Sequence, residues 1–139
     1  MIALDASAII ALIDGRDRNH AAVAGWYRDV DEPTWTTPLA LAEVDLVLPR
    51  AGPAAIRAFR KDLIAGAFPL EGDPELVRRA AEVAEAYADL GVSLTDGSLV
   101  ALADRLGTTS IATLDERHFR AMRPLSGGPA FTLLPADAA

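Results

Sequence analysis

The feature that most constrains the fold of this chain is the alternation of short apolar segments with longer segments that carry helix start and stop signals. Strands that alternate with helices predict an α/β fold, in which a mainly parallel central β-sheet is flanked by α-helices. Parallel strands need such helical crossovers, because a tight turn cannot connect them. A length of 139 residues is typical of one domain, which we expect to span residues 1–139.

Apolar periodicity and turn residues give approximate bounds for each element. The predicted strands lie at residues 1–4, 34–37, 68–70, 92–94, 110–114 and 131–134. The predicted helices lie at residues 6–13, 19–29, 38–48, 53–65, 74–90, 95–106 and 116–122. Asn19, Asp73 and Thr95 are the predicted N-caps of the second, fifth and sixth helices, because short polar side chains satisfy free amides at helix starts.

Composition excludes several classes of protein. The chain has no cysteine, which removes thiolate catalysis, zinc–thiolate sites and disulfides, and suits a reducing cytoplasm. Hydrophobic residues make up 51% of the chain, but Asp5, Glu43 and Asp45 interrupt the most apolar stretches before they reach the ~18 residues of a membrane span. We therefore expect a cytoplasmic protein without a membrane segment, whose N-terminus forms a core strand and helix and is not a signal peptide.

The net charge of -7 and the pI near 4.7 argue against binding of nucleic acid through a broad basic face. They do not exclude a nucleic-acid substrate, because divalent cations held by clustered acids would reverse the local charge. The basic residues are twelve arginines and Lys61.

Four acids stand where a parallel sheet would bring them together. Asp5 and Asp115 each follow a predicted strand, and the carboxyl ends of parallel strands form the sites of such sheets. Asp96 lies in the first turn of a helix and heads an apolar stripe, which predicts that it faces inward. Glu43 lies within a helix among leucine and valine, although Asp45 has equally apolar neighbours and periodicity does not choose between the two.

Each acid also has an ordinary structural interpretation. Asp5 and Asp96 are both suited to be N-caps, and Asp115 is suited to be a turn residue. Taken together, however, several carboxylates in one pocket repel each other unless cations neutralise them, and Mg²⁺ or Mn²⁺ prefers oxygen ligands. Two such ions could activate water for phosphodiester hydrolysis. Ser7 and Thr113, near Asp5 and Asp115, could bind a phosphate oxygen or orient a water, or could make ordinary turn bonds.

These acids and their contexts resemble the PIN-domain ribonucleases, specifically the VapC-type toxins of bacterial toxin–antitoxin pairs. The resemblance rests on D-x-S near the N-terminus, an acid inside AEVDLVL, the segment TDGSLVALADRLG, and ATLDERHF. It covers nearly the whole chain and implies a PIN-like domain with Mg²⁺- or Mn²⁺-dependent endonucleolytic cleavage of RNA. Matched by position, the metal ligands and catalytic acids would be Asp5, Glu43, Asp96 and Asp115, with Ser7 and Thr113 at the small hydroxyl positions.

The resemblance also implies partners and shows departures. It implies a cognate antitoxin that covers the pocket, and the helices at 53–65 and 74–90 carry apolar faces suited to that antitoxin or to a homodimer. Gly97 replaces the usual alanine after the third acid, which we expect to loosen the helix start. Glu116 is the only acid just after the fourth one, so the number of bound ions stays open. Arg117, Arg120 and Arg123 could steer the RNA backbone.

Three other classes of protein remain as alternatives: a phospho-acceptor domain, a phosphatase and an inactive module. A phospho-acceptor signalling domain would need a lysine near the phosphorylated aspartate, and Lys61 falls inside a predicted helix; a phosphatase would normally have aspartate where this chain has Ser7. A catalytically inactive PIN-like interaction module would only bind a partner. His20 and His118 are expected to pack or cap, since no pattern places them together as in acid–base ribonucleases.

Overall fold

The computed structural model describes residues 1–138 and confirms the α/β fold with a parallel sheet. Ala139, the last residue of the predicted 1–139 domain, lies outside the described residues. The strands are β1 (Ile2–Leu4), β2 (Thr34–Trp35), β3 (Ser110–Ala112) and β4 (Thr132–Leu134). The helices are α1 (Ala6–Ile13), α2 (His20–Asp29), α3 (Pro38–Val47), α4 (Pro53–Ile64), α5 (Pro74–Ala86), α6 (Leu94–Leu106) and α7 (Glu116–Ala121), with 3₁₀ turns at Leu48–Ala51 and Ala88–Leu90.

The sheet order is β2-β1-β3-β4, and all three pairings are parallel. β1 and β3 occupy its centre, with Ala3 opposite Ile111 and Leu4 opposite Ala112. Two strands that are far apart in sequence therefore end side by side. Helix α6 packs against both β1 and β3, and α5 packs against α6.

Two predicted strands are wrong. At 68–70 only an isolated bridge joins Leu70 to Thr36, so this segment extends the edge next to β2 without becoming a strand. The segment 92–94 is not a strand, because Ser93 is already the N-cap of α6. The predicted N-cap Thr95 is therefore also wrong.

A capping box explains why α6 begins earlier than predicted. The Asp96 amide donates to Ser93 Oγ at 3.0 Å, and the Ser93 amide donates to Asp96 Oδ2 at 3.4 Å. This reciprocal pair satisfies two amides that a helix start would otherwise leave free. Asp96 is therefore a third-position partner in a cap and is not the N-cap itself.

The other predicted caps have mixed outcomes. Asp73 is confirmed, since its side chain accepts a hydrogen bond from the Leu76 amide at 2.9 Å. Asn19 occupies the cap position of α2, but its side chain makes no cap hydrogen bond. The predicted helix 74–90 ends at Ala86 and continues as the separate 3₁₀ turn Ala88–Leu90.

The core lies between the sheet and the helices that pack on it. Its largest fully buried side chains come from every layer and are Phe59, Phe119, Ile2, Leu4, Ile9, Leu48, Leu76, Leu99, Leu102, Ile111, Met122 and Leu133. Burial of such side chains stabilises a fold by about 1.5–3 kcal/mol each. The ends of β1 and β3 are thus held on a densely packed base.

Gly97 has a packing role at the start of α6. A Cβ atom at this position would overlap the backbone carbonyl oxygen of Ala80 on α5. The absence of a side chain lets the two helices approach closely, as glycine often does where backbones meet. Gly97 therefore has a packing reason to be glycine, and the expectation that it loosens this helix start stays a prediction.

Within residues 1–138, no helix combines the length and the apolar composition that crossing a bilayer requires.

Candidate active site

The carboxyl ends of β1 and β3 form one edge where the predicted acids gather. Asp5 directly follows β1, and its amide donates to the Ala112 carbonyl of β3 at 2.9 Å. Asp115 follows β3 after two residues and begins α7. The parallel pairing of two central strands therefore brings residues separated by more than a hundred positions to the same edge.

Asp5 lies buried at the bottom of this site. Only 4% of the residue is exposed, and burial is the main cause that raises the pKa of its carboxyl group. Thr113 Oγ1 donates to Asp5 Oδ2 at 2.7 Å, and Ser7 Oγ donates to the same oxygen at 2.9 Å. Asp5 stands at the N-cap position of α1 but makes no side-chain cap bond, so its carboxylate is directed into the site.

The hydroxyl groups of Ser7 and Thr113 tie Asp5 to the loop after β3. Ser7 Oγ accepts from the Leu114 amide at 2.9 Å, and Thr113 Oγ1 accepts from the Asp115 amide at 3.0 Å. Each hydroxyl has one hydrogen, which is used on Asp5, so the 3.2 Å contact between the two oxygens is a close approach only. The two hydroxyls therefore fix both strand ends, and their predicted contact with a phosphate or water stays a prediction.

Asp96, Asp115 and His118 form the tightest cluster. Each offers one ligand atom, and these atoms lie within 4.8 Å of one another. His118 Nδ1 lies 2.9 Å from Asp115 Oδ2 and 3.4 Å from Asp96 Oδ2. Within residues 1–138 this is the one group of three or more His, Asp or Glu side chains with ligand atoms so close together. Asp5 and Glu43 lie outside this innermost group.

Asp115 has both of the roles that its sequence context allowed. Its Oδ1 accepts from the His118 amide at 3.2 Å, which makes it the N-cap of α7. Its Oδ2 remains directed at the cluster. One carboxylate can therefore cap a helix and still present an oxygen to the pocket.

The position of Glu43 distinguishes it from Asp45. The pKa of Glu43 is raised, first by partial burial and then by the charges of Asp5, Asp96 and Asp115. Asp45 instead pairs with Arg60 on the surface, with Oδ1 and Nε at 3.1 Å. Glu43 therefore faces the acids and Asp45 faces away, a distinction that periodicity did not provide.

Mutual repulsion is the electrostatic signature of the site. Burial raises the pKa of the Asp96 carboxyl group, the Asp115 charge raises it further, and the cap at Ser93 and the nearby His118 act in the opposite direction. Asp96 in turn raises the pKa of Asp5. Within the described chain, no arginine or lysine forms an ion pair with any of the four acids. Among the basic side chains of residues 1–138, only His118 contacts these acids.

The basic residues after Asp115 differ in what they contact. Arg120 pairs with Glu116 and Asp137, at 2.7 and 2.8 Å, so Glu116 is committed to a surface ion pair rather than to the cluster. Arg117 is exposed and makes no ion pair within residues 1–138. The backbone amide of Arg123 lies outside the acid cluster and donates a hydrogen bond to Tyr87 Oη at 3.1 Å. The guanidinium group of Arg117 is therefore not held in an ion pair by the described residues, unlike that of Arg120.

Sequence reasoning missed His118, which was expected only to pack or cap. The available signal was its spacing, because a residue three positions after a helix N-cap lies beside that cap in the first turn. His20 does fit the expectation, since its Nδ1 lies 2.7 Å from the Ala11 carbonyl oxygen. The two histidines are not paired with each other, so the acid–base ribonuclease arrangement finds no support in these contacts.

An exposed apolar rim adjoins the acids. A groove next to Glu43 is lined by Leu39, Leu46 and Leu94. Leu46 is 80% exposed and Leu94 is 42% exposed. Large apolar side chains at such exposure are typical of surfaces that meet another molecule.

Comparison with known proteins places this arrangement in context. The family model for the PIN domain matches residues 2–123. The chain is 38% identical over 135 residues to Ribonuclease VapC26 of Mycobacterium tuberculosis, which covers 95% of this chain and 98% of that protein.

Solved structures share the fold. The crystal structure of Mycobacterium tuberculosis VapC20, described as a Sarcin-Ricin loop cleaving toxin, superimposes with a TM-score of 0.76 at 20% identity and covers 84% of this chain and 92% of that one. A toxin–antitoxin complex from Klebsiella pneumoniae superimposes with a TM-score of 0.65 at 13% identity and covers 89% and 94%.

Proposed function

Because this chain belongs to the PIN domain family and resembles VapC proteins over nearly its whole length, we propose that it is a metal-dependent endoribonuclease and the toxin of a type II toxin–antitoxin pair. The observation that carries the proposal is the close approach of Asp96 and Asp115, whose ligand atoms lie within 4.8 Å of each other. Asp5 and Glu43 lie near enough that the charges of the other acids raise the pKa of each. These four acids are the proposed catalytic residues and metal ligands, with Mg²⁺ or Mn²⁺ as the cofactor.

The chemistry of the site fits a divalent cation. Carboxylate oxygens are the ligands that Mg²⁺ and Mn²⁺ prefer. Asp5 and Asp96 are buried, and burial is the main cause that raises the pKa of each carboxyl group, so their negative charge is costly when no cation is bound. A bound cation would relieve that repulsion and favour the ionised forms of Asp5, Glu43 and Asp96.

Each residue has a defined part in the proposed hydrolysis. A divalent ion held by the acids supplies Lewis acidity for the phosphodiester and lowers the pKa of water. Asp5, fixed by Ser7 and Thr113, provides an immobile oxygen ligand at the base. Glu43 and Asp115 line the open side, where substrate and water enter. Ser7 and Thr113 keep the strand ends in place, and Arg117 offers a guanidinium group to the RNA phosphate backbone.

The substrate is proposed to be RNA with a single-stranded or looped target, since an acidic protein has no broad basic face to hold a duplex. VapC26 is named a ribonuclease and VapC20 a Sarcin-Ricin loop cleaving toxin. These names support the substrate class, and specificity would come from the surface around the pocket rather than from the metal ligands.

The proposed partners are an antitoxin and a second copy of the chain, in the cytoplasm. The structural neighbour from Klebsiella pneumoniae is a toxin–antitoxin complex. The exposed Leu46 and Leu94 beside Glu43 suit an antitoxin segment that covers the pocket, with an arginine reaching the acids. Ile64 on α4, 89% exposed, and Val77 on α5 supply further apolar surface for the antitoxin or the homodimer.

The decisive experiment is cleavage of RNA by the purified chain with and without EDTA. We expect EDTA to abolish cleavage, Mn²⁺ to restore it, and Asp5→Asn to lower it by at least about a hundredfold, because loss of a charge-stabilising group typically costs this much. Asp45→Asn is the matched control, since Asp45 pairs with Arg60 away from the site, and it should cleave normally. The proposal would be refuted if the wild type in EDTA and the Asp5→Asn variant both cleaved RNA as fast as the untreated wild type.

The alternative classes make different predictions for the same protein. A phospho-acceptor domain would need a lysine at the acids, whereas Lys61 is exposed on α4 and forms no ion pair with them in the described chain. An inactive interaction module should bind no divalent ion at the acids. Titration calorimetry with Mg²⁺ and Mn²⁺ therefore separates an inactive module from an enzyme.

A further inference from the structure

We propose that His118 is a direct nitrogen ligand of the ion held by Asp96 and Asp115, and that it makes the site prefer Mn²⁺ over Mg²⁺. The inference rests on the proposed function, because it concerns the same ion. It adds a residue that the four-acid resemblance does not contain, and it predicts which metal the site selects.

The distances around His118 suit adjacent ligands of one ion. Its Nδ1 lies 2.9 Å from Asp115 Oδ2 and 3.4 Å from Asp96 Oδ2. Neighbouring ligands of an octahedral ion with bonds of about 2.1 Å are about 3 Å apart. The two distances from His118 are therefore close to the spacing of adjacent ligands, and the ligand atoms of all three side chains lie within 4.8 Å of one another.

The second ring nitrogen of His118 supports the same role. Nε2 lies 3.1 Å from the carbonyl oxygen of Leu90. A carbonyl oxygen only accepts hydrogen bonds, so Nε2 carries a hydrogen and donates it. Metal-binding histidines typically donate their other ring N–H to a carbonyl or carboxylate, which orients the ring and leaves the first nitrogen free to bind. In His118 the nitrogen that would bind the ion is Nδ1, which faces Asp115 and Asp96.

The backbone holds the ring in this orientation. His118 lies in the first turn of α7, where its amide donates to Asp115 Oδ1 at 3.2 Å. The next residue, Phe119, is fully buried and anchors the helix in the core. Leu90 ends the 3₁₀ turn Ala88–Leu90 that precedes α6, so both ends of the imidazole contact elements of the site. A freely rotating surface histidine would have none of these restraints.

A nitrogen ligand changes the metal preference of the site. Mg²⁺ demands oxygen ligands and binds imidazole poorly, whereas first-row transition ions accept imidazole readily. A site of carboxylates alone would discriminate little between Mg²⁺ and Mn²⁺. With His118 in the shell, Mn²⁺ becomes the preferred ion of the two.

The direct test is pulsed electron paramagnetic resonance of the Mn²⁺-loaded protein, which detects nitrogen nuclei bound to the ion. The chain has only two histidines, so labelling histidine with ¹⁵N assigns any coupling to His20 or His118. We expect a histidine nitrogen coupling in the wild type, its retention in His20→Ala, and its loss in His118→Ala. His20 is the matched control, because its ring contacts the Ala11 carbonyl on α1.

Calorimetry supplies an independent measurement without RNA. His118→Ala should weaken Mn²⁺ binding by about tenfold or more, as loss of a ligand or its support does, and weaken Mg²⁺ binding much less. Circular dichroism checks that the variant is folded, and the wild-type resonance spectrum remains decisive if it is not.

The outcomes separate this inference from the proposed function. Mn²⁺ bound without histidine coupling, or equal losses of Mg²⁺ and Mn²⁺ affinity in His118→Ala, would overturn the role of His118 and leave the carboxylate site intact. Failure of the wild type to bind either ion would overturn the metal-dependent function and this inference together.

Discussion

At the scale of single residues, the site is built around the buried carboxylate of Asp5, which is 4% exposed. Asp5 has two hydroxyl donors on one oxygen, and these hydroxyls also accept from the amides of Leu114 and Asp115. Each hydroxyl thus satisfies a buried acid and a loop amide at once. Removing one would leave both groups short of a partner, which is costly in a buried position.

Thr113→Val tests this arrangement. Valine has nearly the shape of threonine but lacks the hydroxyl, and Thr113 is 1% exposed. We expect the free energy of unfolding to fall by about 1–3 kcal/mol, the usual cost of leaving buried polar groups unpaired. Urea unfolding measures it. Thr109→Val is the control, since Thr109 is exposed; equal losses in both variants would contradict the role of Thr113.

Glu43 and Asp45 lie two residues apart on α3 and have opposite electrostatic environments. The raised pKa of Glu43 means that ionisation of this carboxyl group opposes folding when no metal is bound. The Asp45 carboxylate faces Arg60 instead. Only one of the two should therefore influence both the stability of the metal-free protein and the binding of metal.

We expect Glu43→Gln to raise the melting temperature of the metal-free protein at pH 7 and to weaken Mn²⁺ binding. Asp45→Asn removes an exposed ion pair, which is worth at most about 1 kcal/mol, and should leave Mn²⁺ binding unchanged. Scanning calorimetry and metal titration of both variants provide the comparison. The reverse pattern would assign the helical metal ligand to Asp45.

At the scale of elements, the contact between α5 and α6 sets the position of Asp96. Asp96 lies in the first turn of α6 beside Gly97, and Gly97 lets α5 approach to van der Waals contact at Ala80. The capping box at Ser93 then orients the first turn. The acid is therefore positioned by a helix–helix contact as well as by its own cap.

Gly97→Ala should force α5 and α6 apart. We expect a loss of about 1–3 kcal/mol in the free energy of unfolding, the range found for overpacked cores, together with weaker metal binding as Asp96 shifts. Gly15→Ala is the matched control, because a Cβ atom at Gly15 meets nothing within 4 Å; it should change stability by no more than about 0.5 kcal/mol. Denaturant unfolding with and without Mn²⁺ measures both effects. An unchanged free energy of unfolding in Gly97→Ala would contradict this account.

At the scale of the whole molecule, the pH dependence of stability is set by two groups of acids, whose pKa values the fold shifts in opposite directions. Asp5, Glu43 and Asp96 have raised pKa values, so the stability associated with them is present at low pH and is lost as pH rises through those values. Surface acids paired with arginine behave in the opposite way. Arg120 lowers the pKa of Asp137 to about 2, and the stability from that pair is lost as pH falls from the usual value of 3.8 toward about 2.

The metal-free protein should therefore be most stable in acidic solution near the usual carboxyl range of 3.8 to 4.5, and should lose stability as pH rises toward neutrality. Mn²⁺ should move the optimum toward neutral pH, since an ion that binds only the folded state adds about 2.7 kcal/mol at a hundred times its dissociation constant. Melting temperatures across a pH series, with EDTA or Mn²⁺, measure both effects. Asp96→Asn should lose the Mn²⁺ effect, and a neutral optimum in EDTA would contradict the electrostatic account.

Much of the fold, and the positions of Asp5, Asp96 and Asp115 at the ends of elements, could be predicted from the amino-acid sequence, whereas periodicity left Glu43 and Asp45 undecided. Helix periods, the cap at Asp73 and the apolar strands before Asp5 and Asp115 are local patterns, which depend on backbone geometry within a few residues. The errors at 68–70 and 92–94 arose where short apolar runs had no local feature to separate a strand from a loop or a helix start. Tertiary packing decided those segments.

The meeting of the acids depended on contacts between distant parts of the chain. The pairing of β1 with β3 brings Asp5 and the Asp115 amide to the same Thr113 hydroxyl. The approach of α3 turns Glu43 rather than Asp45 toward the acids, and the turn at Leu90 orients His118. None of these relations has a signature within one element, because each is set by the packing of apolar faces on a shared sheet. The sequence by itself therefore determined which acidic side chains stand at the ends of elements. Three-dimensional packing decided which of them lie close together.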